Sequence, residues 1–194
     1  MGSAREREFL LAIRLPAIAA GGILRTRVVN GGIFQQGRHE QMALVQRNRI
    51  KLTLEGAKLI IQACEAKSRE LGQDMDIAVV DEGGNLIAFT RMDNARITSI
   101  DIAINKAFTA AGTRRGTHEY ATIASPQGGA AFGIHVSNQG RFMIFGGGLP
   151  IIVNGQVIGA VGVSSGTIEQ DRIVAQAGVD AFLEALAEEE EGAR

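Results

Sequence analysis

The sequence predicts an α/β protein of the α+β kind: an antiparallel sheet of five strands flanked by helices. Two observations point that way. Short apolar, β-branched runs come in pairs joined by tight turns: residues 151–153 with 157–163 across Asn154-Gly155, and residues 76–81 with 85–91 across Glu82-Gly83-Gly84. An Asn-Gly turn between such runs is the strongest short-range hairpin signal in a sequence, and hairpin-joined strands run antiparallel. A third observation excludes an alternative. No strand–helix–strand alternation is present and Gly146-Gly147-Gly148 lacks a following lysine, so neither a dinucleotide fold nor a phosphate loop fits.

The elements follow in order. Thr53 caps a helix whose apolar positions are Ala57, Ile60, Ile61, Cys64 and Leu71, and Gly72 ends it. The 76–91 hairpin comes next, then a turn over residues 92–95. Thr98-x-x-Asp101 reads as a capping box opening a second helix. One face of that helix carries Ile100, Ile104, Ala107, Phe108 and Ala111; the other shows Asp101, Asn105, Lys106 and Thr109. Residues 112–116 break it, and Thr117 caps a short helix through Ile123. Irregular chain runs to about Gly140. Residues 142–145 read as a short strand feeding the glycines and the 151–163 hairpin. Thr167-x-x-Gln170, a further capping box, opens a last helix with Val174, Ala177, Gly178, Ala181, Phe182 and Ala185 on its stripe. The acidic run at 188–191 reads as a solvated tail.

At 194 residues one domain is the default. The organisation expected is an N-terminal arm over 1–48, poorly ordered or peripheral, a domain over 49–188 and an acidic tail over 189–194. Met42, just before the regular part, is an alternative start. The net charge of −1 hides an asymmetry: residues 1–51 hold nine Lys and Arg against three acids, the rest eleven against eighteen. Nucleic acid is an unsuitable partner for so acidic a domain. Cys64 is the single cysteine, which excludes an internal disulfide and a multi-cysteine zinc site. Its place on an apolar stripe makes it a core residue rather than a nucleophile. No run reaches the roughly 18–20 apolar residues that span a bilayer. The stretch 9–24 is interrupted by Arg14, Pro16 and Gly21-Gly22 and only loosely imitates a signal peptide, so a cytoplasmic setting is expected.

Several segments then carry a resemblance. Leu52-Thr53-Leu54-Glu55-Gly56-Ala57, Val79-Val80-Asp81-Glu82-Gly83-Gly84-Asn85, Arg91-Met92-Asp93 and Lys106-Ala107-Phe108-Thr109-Ala110 occur in that order. Gly146-Gly147-Gly148-Leu149-Pro150, Gly159-Ala160-Val161-Gly162-Val163-Ser164 and Glu169-Gln170-Asp171 follow. Together they resemble the GlcG/HbpS family, whose domain also forms the C-terminal part of PduO-type cobalamin adenosyltransferases. The resemblance spans about residues 52–186. It implies a GlcG-like, profilin-related fold, a homo-oligomer from dimer to octamer, and haem binding or a role in haem breakdown, iron handling or redox sensing. Other members lie among catabolic genes. The chain departs from the family pattern in three places: Ser164-Ser165-Gly166 where Ser-Gly is usual, a basic Arg114-Arg115 after the second helix, and the first 50 residues, which lie outside the match.

Three functions follow. A haem pocket needs apolar walls, cations for the propionates and usually an axial ligand. His118, beside Arg114 and Arg115, is the candidate iron ligand; His135 and His39 are weaker ones, as are Tyr120, Met143 or a threonine. Thr109, Gly146, Gly147, Gly148, Pro150 and Ser164 complete the expected haem-binding set. The second function is an enzyme on a small anionic or carbonyl metabolite, with Lys106 as cation or amine, Asp81, Arg91 and Asp93 at the first hairpin and the triple-glycine N–H groups as donors. For Lys106 a solvated side chain fits the spacing too, and for the Asp/Arg set turn chemistry and a structural ion pair do. The third is a non-catalytic scaffolding subunit.

Overall fold

A computed structural model describes residues 44–193. The expected arm up to residue 43, with Met42 and His39, lies outside the described residues. Irregular chain leads into α1 (Leu54–Glu70), followed by β1 (Asp76–Asp81) and β2 (Leu86–Arg91). Next are α2 (Ser99–Thr113), a 3₁₀ turn at Thr117–Glu119 and the one-turn α3 (Tyr120–Ile123). After two further 3₁₀ turns come β3 (Gly148–Val153), β4 (Gln156–Ser164) and α4 (Ile168–Gly192).

The sheet order is β2-β1-β4-β3, every pair antiparallel. Both hairpins form where the turn residues demand them. Asn154 and Gly155 both have positive φ, 49° and 74°, which the right-handed twist of a two-residue hairpin requires. Strand alternation sorts β1 and β4 into two faces. Ile77, Val79, Val161 and Val163 pack under α1 and α4, whereas Ala78, Val80 and Ala160 lie under α2 with Ala103, Ala107 and Ala110. The aliphatic side chains of the first face are wholly buried, worth about 1.5–3 kcal/mol each.

The second face is built from small residues, which lets α2 ride on the sheet backbone. A methyl group at Gly162 would stand 2.1 Å from the Ala103 carbonyl oxygen, and one at its cross-strand partner Gly148 2.5 Å from that of Lys106. Cys64 is buried on the α1 stripe, its Sγ donating to the Val174 carbonyl at 3.3 Å. Burial pushes its thiol up to about 12, so it stays protonated and inert.

Four expectations need correction. The sheet has four strands among the described residues, not five. Residues 142–145 pair with no strand because their polar contacts go to α2: Thr109 Oγ1 accepts from Met143 N at 2.9 Å and donates to the Arg141 carbonyl at 3.3 Å. β3 begins instead at Gly148, as an edge strand, where the missing N–H of Pro150 costs no ladder bond. Thr98 makes no side-chain cap bond and is already helical. Thr117 does not cap the short helix; its Oγ1 accepts from Gly148 N at 2.9 Å. The 188–191 run is no tail but the exposed end of α4, which continues to Gly192.

Candidate functional site

Two regions on the α2 side hold most of the residues that carry chemistry. The first is a closed polar junction where the β4–α4 corner meets α2. Lys106, in mid-helix, is completely buried, and its Nζ donates to Asp171 Oδ2 at 2.7 Å and to the Val163 carbonyl at 2.8 Å. The ammonium also stands 4.8 Å from the centre of the Phe145 ring. Asp171 lies in the first turn of α4, where a carboxylate suits the helix dipole, and its Oδ1 accepts from Gly166 N at 2.9 Å. Gly147 makes the contact possible: with φ +117°, it leaves free a space in which a methyl carbon would stand 2.7 Å from the Lys106 ammonium. Burial holds Lys106 below the ordinary lysine range and Asp171 above the carboxylate range. Their mutual attraction opposes both shifts, across the 2.7 Å contact with its flanking hydrogen bonds.

Beside that pair a second carboxylate supports the same corner. Asp76 is fully buried; its Oδ2 accepts from Ser165 Oγ at 2.8 Å, while Oδ1 has no partner among the described residues. Burial raises its pKa, with the Ser165 bond and the Arg91 charge working the other way. Ser165 holds φ +98°, a strained value for a side-chain-bearing residue, and accepts Arg96 N on its hydroxyl at 3.0 Å. It is the residue at which the chain departs from the Ser-Gly pattern.

The hairpin residues assigned to a catalytic role stand apart from Lys106. Asp81 pairs in register with Gly159, whereas Lys106 meets the other end of β4, about 13 Å away at some 3.3 Å per residue. Its carboxylate closes the β1–β2 turn, accepting Gly83 N, Asn85 N and Asn85 Nδ2. Partial burial works against the charged form, but those donors and Lys51 hold its pKa below the usual value. Arg91 pairs with Asp76 in register and is exposed; Asp93 is exposed in the turn after β2. The triple glycine is equally committed: Gly147 O accepts from Val163 N at 2.8 Å, Gly148 N donates to Thr117, and all three glycines are buried. Ser164 is buried at the end of β4, and Thr109 spends its hydroxyl on Asn105, Arg141 and Met143.

The second region centres on His118. Its ring folds back over Gly116, where a methyl group would stand 2.4 Å from Cε1 and 2.6 Å from Nδ1. The same point is 3.4 Å from Leu149 Cδ2, so an aliphatic side chain flanks the imidazole. Nδ1 is buried and has no hydrogen-bond partner among the described residues, although such atoms are almost always paired. Arg114, a left-handed helix cap at φ 59°, and Arg115 are both exposed. Tyr120 and Phe142 meet edge to face, centroids 4.9 Å apart. Pro150 is half-buried next to Leu149. His135 is exposed in a 3₁₀ turn of the 124–140 segment, beside the exposed Val136. A haem group fits these residue types: an imidazole, an aliphatic side chain against it and two exposed guanidinium groups. Among the described residues no three His, Cys, Asp or Glu side chains converge to hold a metal ion on their own.

Sequence reasoning missed Asp171, Asp76 and Ser165 as members of one junction. Asp171 stands 65 residues from Lys106, and only the packing of α4 against the sheet brings them together.

Among the described residues, a four-stranded antiparallel sheet with α2 on one face and α1 and α4 on the other defines a small α+β class of protein. Within it, the chain belongs to the family described as Haem degrading protein HbpS-like, whose model matches residues 52–180. An uncharacterized 15.0 kDa protein of Citrobacter freundii, from the dhaT–dhaS intergenic region, is 51% identical over 133 residues, 69% of this chain and 93% of its own. The crystal structure of protein ORFY from Klebsiella pneumoniae superposes with a TM-score of 0.68 at 44% identity, covering 73% of this chain and 97% of that one. The structure of a PduOC:haem complex does so at 0.66 and 30% identity, covering 68% and 95%.

Proposed function

We propose that this chain binds haem on the His118 face, one per chain, and works as a cytoplasmic homo-oligomer in haem or iron handling or a redox-linked role. The observation that carries the reading is the half-buried His118 ring, which makes no hydrogen bond among the described residues and so has no internal use. Membership of the HbpS-like family and the likeness to a protein that holds haem in its crystal support it. His118 would supply the axial nitrogen, Leu149 an apolar wall, and Arg114 and Arg115 the charges for the propionates. Haem itself would supply iron-centred redox or oxygen chemistry; the chain holds it and excludes water from one face. The enzyme alternative gains nothing from Lys106, whose ammonium is enclosed and neutralised by Asp171.

The test is a haemin titration of the apoprotein followed at the Soret band, in wild type and His118→Ala. A saturable transition at one haem per chain, lost or shifted in the variant, is expected. Saturation unchanged in the variant would move the ligand away from His118. No saturable transition in wild type would overturn the haem reading.

A further inference from the structure

A groove of about 770 Å³ runs between α1, the C-terminal half of α4 and the β3–β4 turn, lined by none of the residues assigned to the His118 face. Its floor is apolar, formed by Leu52, Leu59, Val153, Ile158, Phe182 and Leu186. Leu54 and Leu183, each next in sequence to a lining residue, are 51% and 38% exposed. Charge is divided unevenly between the walls: Lys51 and Lys58 with Glu55 on the α1 side, and Glu189 and Glu190 on the α4 side.

The end of α4 adds a second irregularity. Its last turns hold Glu188, Glu189, Glu190 and Glu191 and its final turn no basic residue, so carboxylates crowd the negative end of the helix dipole. Cations brought from outside would relieve that repulsion. Among the described residues, Lys58 pairs with Glu55 at 2.8 Å and Lys51 with Glu82 at 3.5 Å, with both lysines more than half exposed. Such surface pairs contribute little and are readily exchanged.

We infer that the groove is the face on which two copies of this chain meet about a twofold axis. Lys51 and Lys58 of one copy then face Glu189 and Glu190 of the other. An isologous contact uses each wall once from each side, so a surface carrying both signs on opposite walls complements itself. A partner of single charge would satisfy one wall and oppose the other. The apolar floor provides the dry centre and the charges its rim. The inference rests on the self-association part of the reading above and is independent of its haem part.

Sedimentation equilibrium of the full chain tests it, at low and at high salt. Four forms are compared: wild type, Lys51→Glu with Lys58→Glu, Glu189→Lys with Glu190→Lys, and all four together. All four positions are exposed, so the substitutions leave the core intact. Wild type is expected to dimerise, each double reversal to weaken the dimer by about tenfold or more, and the quadruple swap to restore it to within about threefold. A wild-type dimer indifferent to both reversals, or a quadruple variant as weak as the doubles, would overturn the groove as the interface while leaving self-association standing. A monomer at every concentration would overturn both. Haemin titration of the same variants, expected unchanged, keeps either failure separate from that of the haem site.

Discussion

Lys106 and Asp171 are best understood as one object. A buried ion pair adds little net stability, because desolvation consumes most of the attraction, yet removing one member strands the other charge at a cost of about 3–5 kcal/mol. Lys106→Met and Asp171→Asn are each expected to lower stability by that order, and the double variant to lose distinctly less than the sum. Urea titrations arranged as a double-mutant cycle check this. Asp76 gives a signature in pH. Its folded pKa is raised, so between the ordinary carboxylate value of about 3.9 and the raised one the folded state binds more protons, and stability falls as pH increases through that window. Asp76→Asn is expected to remove this component, leaving a flatter profile and a protein at least as stable as wild type at neutral pH. Urea midpoints measured from pH 4 to 7 decide it; a variant less stable at neutral pH would assign Asp76 an ionic role. The residue scale also shows what spacing can and cannot reveal. Lys106 stands among small and apolar neighbours in sequence, which raises the question of its burial, but a snorkelling lysine fits the same spacing.

At the scale of elements, the glycines have a packing meaning that their clustering in sequence does not disclose. Gly148 and Gly162 face each other across β3 and β4 beneath α2, and a methyl group at either would meet helix backbone. Gly162→Ala is expected to lift α2 and cost about 3 kcal/mol. Gly112→Ala, inside α2 with nothing within 4 Å, should be neutral or stabilising by up to about 1 kcal/mol. Thermal or urea unfolding of the two variants side by side measures the contrast, and equal effects would refute the packing account. The same packing explains the missing fifth strand. Residues 142–145 have the apolar composition of a strand, but Thr109, 33 residues or more away, takes the Met143 N–H and offers its own hydroxyl to Arg141. Strand composition shows that a segment wants burial; it does not say whether a sheet edge or a helix receives it.

For the whole molecule, hairpin turns, helix periods and two of the four caps were legible because each is decided within a few residues, whereas Thr98 and Thr117 do not cap. Thr53 and Thr167 cap α1 and α4 as their sequences indicate, and Asn154-Gly155 makes its hairpin. The candidate haem face was legible only as residue types near one another along the chain: His118, Arg114 and Arg115. That His118 folds back over Gly116 beside Leu149, with Nδ1 unpaired, depends on how residues 116–118 lie against β3, which no local pattern encodes. Among the described residues no helix is long and apolar enough to cross a membrane.

The sequence by itself determined the order of helices and hairpins, the antiparallel sense of the sheet and the family resemblance, since these rest on short-range sterics and on motifs in register. Tertiary structure alone decided which polar groups are used up and which remain open. It closed Lys106 against Asp171 across 65 residues, committed Asp81 to its own turn, spent the triple glycine on helix packing and left one nitrogen of His118 without a partner. The physical reason is that burial and hydrogen-bond satisfaction belong to the packed whole: they are set by which distant elements share a face, and sequence distance carries no record of that.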